Sequence, residues 1–187
     1  MGNLAVQENS PKELKSETIR RAVSQASAEQ FEKAMNAPQP EPRPPHQVEV
    51  FIHDSRLKSY GSQFGHVSIA VGNQLYSMSH SGLYQTNVND FIKRQQNFRD
   101  TIGFVLNTTP AQAKAISEKM LEFDGTTYDL LTNSCTTTVT SALEAAGIQA
   151  TDPRFLSWSA TPTDLLTALQ HSPHVMKLNE YQEHDEQ

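Results

Sequence analysis

Tyr128-Asp-Leu-Leu-Thr-Asn-Ser-Cys135-Thr-Thr-Thr-Val-Thr-Ser-Ala-Leu-Glu-Ala-Ala-Gly147 is the stretch on which the reading of this chain turns. A short polar loop ends at Asn133 or Ser134, either of which can cap a helix, and the helical pattern then runs to a C-terminal Gly147. Cys135 falls in the first turn. There it meets unpaired backbone N–H groups and the positive end of the helix dipole, which favour a thiolate over a thiol, as a sulfur nucleophile requires. The competing reading is a small side chain buried under a helix, the ordinary fate of a lone cysteine.

Cys135 is the single cysteine of 187 residues, so neither an intrachain disulfide nor a multi-cysteine zinc site can form. The seven histidines (46, 53, 66, 80, 171, 174 and 184) show no paired metal-ligand spacing. The sequence therefore points to no metal and no cofactor. The net charge of −6 is concentrated at the C-terminus, where residues 179–187 hold four acids and no base. No basic patch with interleaved aromatics is present, which argues against a nucleic-acid partner. No apolar run reaches membrane-spanning length. The N-terminus lacks the apolar stretch of a signal peptide, so the expectation is a chain made in the cytoplasm, with export by a dedicated secretion system left open.

Four regions follow along the chain. Residues 1–36 open with the capping box Ser10-Pro11-Lys12-Glu13 and continue as a thin amphipathic helix, too weak to stand alone. Such a helix suits a secretion chaperone or carrier, or is an ordinary extension. Residues 37–46 are a proline-rich, semi-rigid linker. Residues 47–178 read as the globular domain, and 179–187 as a solvated acidic tail.

Within the domain, Gln47–His53 alternates like a strand. Phe64–Val71 and Leu75–His80 read as a hairpin around Gly72-Asn73-Gln74, and Thr101–Leu106 as a further strand. Helical patterns occupy Val88–Gln96, a stretch capped by Thr108 or Thr109 and running to about Phe123, the Cys135 segment, and Thr161–Leu169. Early strands and late helices suggest an α+β fold.

His66 is the candidate base. It lies far from Cys135 in sequence and within a half-buried strand, where a neutral imidazole can take the thiol proton. His80 is the leading third residue. With a three-residue turn, 66, 78 and 80 share one face, while Ser77 and Ser79 point away. Each histidine alone reads more simply as a satisfied structural residue.

Taken together, Gly65-His66-Val-Ser-Ile-Ala-Val-Gly-Asn-Gln-Leu-Tyr-Ser and Tyr128-Asp-Leu-Leu-Thr-Asn-Ser-Cys135-Thr resemble the permuted papain-like fold. This is the circularly permuted branch of the NlpC-type cysteine hydrolases, which includes relatives of lecithin:retinol acyltransferase. The resemblance covers about residues 47–148. It implies a small antiparallel sheet packed on a nucleophile-bearing helix, with Cys135 as nucleophile, His66 as general base and chemistry through an acyl-thioester. The family's orienting residue often stands about twelve positions after the base, which is Met78 here, and this chain has Asn133-Ser134-Cys135 where an Asn-Cys pair is usual. The expected activity is hydrolysis of an amide of peptide, isopeptide or peptidoglycan type. The alternatives are a lipid acyl hydrolase or acyltransferase on the same scaffold, and a binding module without catalysis. Backbone N–H groups near Thr136 would help hold the oxyanion.

Overall fold

A computed structural model of the protein describes residues 43–54, 65–129, 134–151 and 161–184. The chain divides into Met1–Glu41 and Pro42–Gln187, and the described residues all belong to the second unit. The expected N-terminal helix, most of the proline-rich linker and Asn133 lie outside the described residues.

The domain is α+β, and its described elements include a six-stranded antiparallel sheet and four helices. In chain order they are β1 (Val48–His53), β2 (His66–Val71), β3 (Gln74–Ser79), β4 (Gly82–Asn87), α1 (Val88–Gln95), β5 (Thr101–Leu106), α2 (Pro110–Leu121), α3 (Cys135–Ala145), α4 (Pro162–Gln170) and β6 (Val175–Tyr181). The strand order is β4-β3-β2-β1-β5-β6. None of the described helices is long and apolar enough to cross a membrane.

Period-two alternation in β1 sends Val48, Val50 and Ile52 to one face and Glu49, Phe51 and His53 to the other. On the first face α2, α3 and α4 cover the sheet through Ala113, Ile116, Val139, Leu143, Leu165 and Leu169. On the second, Val88, Phe91 and Ile92 of α1 pack against Phe51, Ala70 and Leu75. The central strands are thus buried on both sides, which accounts for the unbroken burial of Val48–Phe51.

Two elements differ from the sequence reading. β4, Gly82-Leu-Tyr-Gln-Thr-Asn87, is an edge strand half open to solvent and lacks an apolar alternation. β6 runs through Tyr181, so the sheet continues past residue 178 into the segment read as acidic tail. Its Asn179 and Tyr181 each donate a 2.9 Å hydrogen bond to Oε1 of Glu49, a carboxylate with no solvent exposure. Arg43 supplies the opposing charge through an ion pair to Glu49 Oε2. The last residues of the expected linker are tied down as well: Gln47 N donates to Pro44 O at 2.9 Å in a local turn, and Thr108 Oγ1 donates to His46 O at 2.7 Å.

Removing one partner of a buried ion pair strands the other charge. Arg43→Ala is therefore expected to cost stability toward the low end of roughly 3–5 kcal/mol, since two neutral donors remain on Glu49. Urea denaturation of the variant would show a lower midpoint with an unchanged slope. An unchanged midpoint would mean that Glu49 is satisfied without Arg43.

Candidate functional site

Cys135 is the first residue of α3, as the sequence reading expects. Ser134, rather than Asn133, occupies the cap: its hydroxyl accepts from Thr137 N at 3.2 Å, and Thr137 Oγ1 accepts from Ser134 N at 2.7 Å. This capping box orients the first turn and presents its free N–H groups around residue 135. The sulfur lies 8 % exposed, and its hydrogen-bond partner among the described residues is Thr136 Oγ1 at 3.9 Å. No hydrogen bond joins it to His66.

His66 opens β2, directly across from His53 at the end of β1. Gly65 ahead of it has φ +77°, and a Cβ there would stand 2.9 Å from the His53 carbonyl oxygen, so the entry into β2 needs a glycine. The partner of His66 is Ser77: Nε2 and Ser77 Oγ are 2.7 Å apart. Among the described residues Nδ1 has no hydrogen-bond partner.

The geometry corrects the hairpin parity on which His80 rested. The register pairs Val71 with Gln74, Ala70 with Leu75 and Ile69 with Tyr76, around a two-residue Gly72-Asn73 loop. Of these two loop residues only Gly72 has positive φ, at 57°, in keeping with a glycine-first type II′ hairpin turn. The odd register puts Ser77 and Ser79 on the face of His66, and Met78 in the opposite, fully buried layer. His80 lies one residue beyond β3 and its ring packs on Tyr128, centroids 4.4 Å apart.

Two residues that the sequence reading passed over stand beside these. His53 is 1 % exposed, with Nδ1 2.7 Å from Thr101 Oγ1 and Nε2 3.0 Å from Ser68 Oγ. Its ring stacks on that of His66 at 5.5 Å. Arg99, in the turn between α1 and β5, is half-buried and donates from Nε to Gln95 Oε1 at 2.7 Å. Its guanidinium lies within electrostatic reach of Cys135 and Asp54, and of both His53 and His66. Tyr128 is also within reach of the Cys135 charge. Arg99 and Tyr128 are thus each within reach of Cys135, and Arg99 within reach of His66, while the His66 side chain lies on the sheet face covered by α1 and α3 covers the opposite face. Arg99 carries no signal in the sequence, since only the turn after α1 brings it into that reach.

Burial, and second the Arg99 charge, hold His66 down to about 4. Burial, then His66 and Arg99, also push His53 well below the ordinary histidine value. Both rings are neutral at pH 7 in the fold, whereas in the unfolded chain they titrate near 6.5. The unfolded chain therefore binds more protons between those limits, so stability rises with pH across the window. It is complete above about 6.5 and is lost as pH falls toward 4. His66 alone is expected to remove about 2 kcal/mol between pH 7 and pH 5. Denaturation midpoints at the two pH values would show it, with a flatter dependence in His66→Gln. Equal dependence in both proteins would place the acid sensitivity elsewhere.

A cleft of about 360 Å³ opens at the His53 end of β1, on the face covered by α4. Ile52, Ile102, Pro162 and Leu166 form its apolar wall, with Asp54 and Asp100 also lining it. Among the described residues no group of three or more His, Cys, Asp or Glu is placed to hold a metal ion.

The family described as the Lnb N-terminal periplasmic domain matches residues 84–172, under half of the chain. That span runs from β4 through α4. It contains Arg99, Tyr128 and Cys135, and leaves out His53, His66 and Ser77. No curated protein and no solved structure matches the chain. The match corrects the location read from the sequence. The family is periplasmic by its description, which points to a periplasmic or exported location rather than a purely cytoplasmic one.

Proposed function

We propose that the protein is a thiol hydrolase that cleaves an amide through an acyl-thioester on Cys135, with His66 as base and Ser77 as the group that orients it. The observation that carries this reading is the placement of the only thiol at the capped N-terminus of α3. The His66–Ser77 hydrogen bond supports the rest, because engaging Nε2 leaves Nδ1 as the nitrogen for the sulfur.

In this reading the Cys135 proton passes to His66 and the sulfur attacks the carbonyl carbon. The tetrahedral adduct collapses, the C–N bond breaks, and the amine leaves with the proton that His66 returns. Water then attacks the thioester, releases the acid and restores the thiol. A neutral His66 is ready to receive the proton. In a periplasmic setting a unique, buried thiol also has no partner for an intrachain disulfide.

A second reading, a lipid acyl ester as substrate, has one observation in its favour. The apolar wall of the 360 Å³ cleft continues to exposed Ile102 and, on the neighbouring strand, exposed Leu178.

The test is acyl-enzyme trapping. Protein mixed with p-nitrophenyl acetate, quenched in acid and digested should carry an acetyl group on Cys135 that hydroxylamine removes. Ser77→Ala should slow its formation by about 10-fold, as expected for loss of an orienting group. Acetylation confined to lysines would refute the reading. A steep rise in rate from acetyl to octanoyl esters would favour the lipid substrate.

A further inference from the structure

The 360 Å³ cleft takes no part in the amide chemistry proposed above. Its construction follows from the β1–β5 register, which pairs Ile52 with Ile102 and His53 with Thr101. One rung further, Asp54 N donates to Asp100 O at 2.9 Å. Period-two alternation therefore sets Asp54 and Asp100 opposite each other on the face of Ile52 and Ile102, and all four residues line the cleft. Pro162 and Leu166 of α4 line it from the helix side. Gly65 lets strand and helix approach: a Cβ there would stand 2.9 Å from the His53 carbonyl oxygen and 3.6 Å from Pro162 Cβ. On β6, exposed Glu180 pairs with Ile102 and brings a third carboxylate to the same face.

Carboxylates directly opposite one another on a sheet repel, so a cation between them is favoured. Arg99 lies within electrostatic reach of Asp54, and Asp100 Oδ1 accepts from Glu183 N at 2.6 Å. A carboxylate accepts several donors at once. An anion is the poorer fit. The start of α4 borders the cleft, and a helix start ordinarily suits an anion. Here Asp164 fills that place, because its Oδ2 accepts from Thr161 N at 2.9 Å and Pro162 brings no N–H. A volume of about 360 Å³ is also at the small end of ligand pockets, which suits one side chain better than a nucleotide or a long acyl chain.

We propose that this cleft binds a lysine side chain of a peptide, with its methylene stem on Ile52, Ile102 and Leu166 and its ammonium between Asp54 and Asp100. An aliphatic stem with a cationic end buries its methylenes while the charge stays paired. The ammonium carries three donors on one atom and can bridge two facing carboxylates. The site goes beyond the cysteine mechanism and does not depend on it.

The test is a chemical-shift titration of the isotope-labelled protein with Nα-acetyl-lysine N-methylamide at constant ionic strength. Shifts are expected at the amides of Ile52, Gly65, Ile102 and Leu166. The norleucine derivative keeps the stem and lacks the ammonium, and is expected to bind about 10-fold more weakly. Asp54→Asn and Asp100→Asn are each expected to weaken the lysine derivative by about 10-fold. Ile102→Lys is expected to abolish binding, because its own ammonium would take the carboxylates. Ile102 is 40 % exposed, so this variant also serves if an aspartate variant does not fold, as judged by its melting transition. Equal binding of the lysine and norleucine derivatives would overturn the assignment and leave an apolar groove of the kind a lipid substrate needs. Shifts absent from the cleft, or an affinity unchanged in the folded variants, would overturn it as well. An inert Cys135 would alter none of these outcomes, so failure of the cysteine mechanism is distinguishable from failure of this site.

Discussion

Gly103→Ala is expected to be among the most destabilising single-methyl additions to this domain, at roughly 3–5 kcal/mol. Gly103 sits in β5 opposite Phe51, on the sheet face where Glu49 is buried. A Cβ at this position would overlap Glu49 Oε1 and stand 2.9 Å from its Cδ and 3.1 Å from Tyr181 Cε2. The carboxylate cannot simply step aside. It is held by Arg43, Asn179 and Tyr181, and displacing it breaks three interactions around one buried charge. The same environment pushes Tyr181 up to about 12, through burial first and the Glu49 charge second. Overpacking alone costs about 1–3 kcal/mol, and the stranded carboxylate adds to it. Thermal melting would show the loss directly. A variant that melts with the wild type would mean that β5 shifts away from β1 at little cost, and that the Glu49 cluster does not clamp β1 to β6.

Cys135→Ser is expected to abolish acyl-enzyme formation, by about 1000-fold or more, while leaving a folded protein. The swap exchanges one small buried side chain for another at the first position of α3 and leaves the Ser134–Thr137 capping box intact. A hydroxyl at that site is a far weaker nucleophile than a thiol, and the neutral His66 is too weak a base to compensate. Acetylation by p-nitrophenyl acetate, counted by intact mass, separates the effects. Retained activity would rule out a cysteine mechanism and favour a binding module.

The helices were legible in the sequence because their signals are local. Thr109 with Pro110 and Gln112, Ser134 with Thr137, and Thr161 with Pro162 and Asp164 each write a start in four residues, and each forms the cap it spells. β1, β5 and the β2–β3 hairpin were legible from alternation and from Gly72. β4 and β6 were not. Both are edge strands whose outer faces meet solvent, so burial does not impose a pattern, and β6 shares its residues with an acidic run. The error at the site came from one residue of turn length. A three-residue turn sets His66 and His80 on one face. The two-residue Gly72-Asn73 loop inverts the parity and brings Ser77 to His66. His53 and Arg99 were beyond reach for another reason. Their neighbours are supplied by separate elements, for His53 the facing residue of β2 and for Arg99 groups far from the α1–β5 turn in sequence, and no local spacing encodes that.

The measurement closest to the central claim is the rate at which iodoacetamide alkylates Cys135, followed by intact mass from about pH 5 to pH 9 in wild type and in His66→Ala. The account predicts a reactive wild-type thiol, spared the slow kinetics of a merely buried cysteine, and a His66→Ala profile that is depressed near neutral pH by about 10-fold or more and approaches wild type at high pH, where no base is needed. Superimposable profiles would show that His66 does not serve the sulfur, and would contradict the pairing of Cys135 with His66 on which the proposed activity depends.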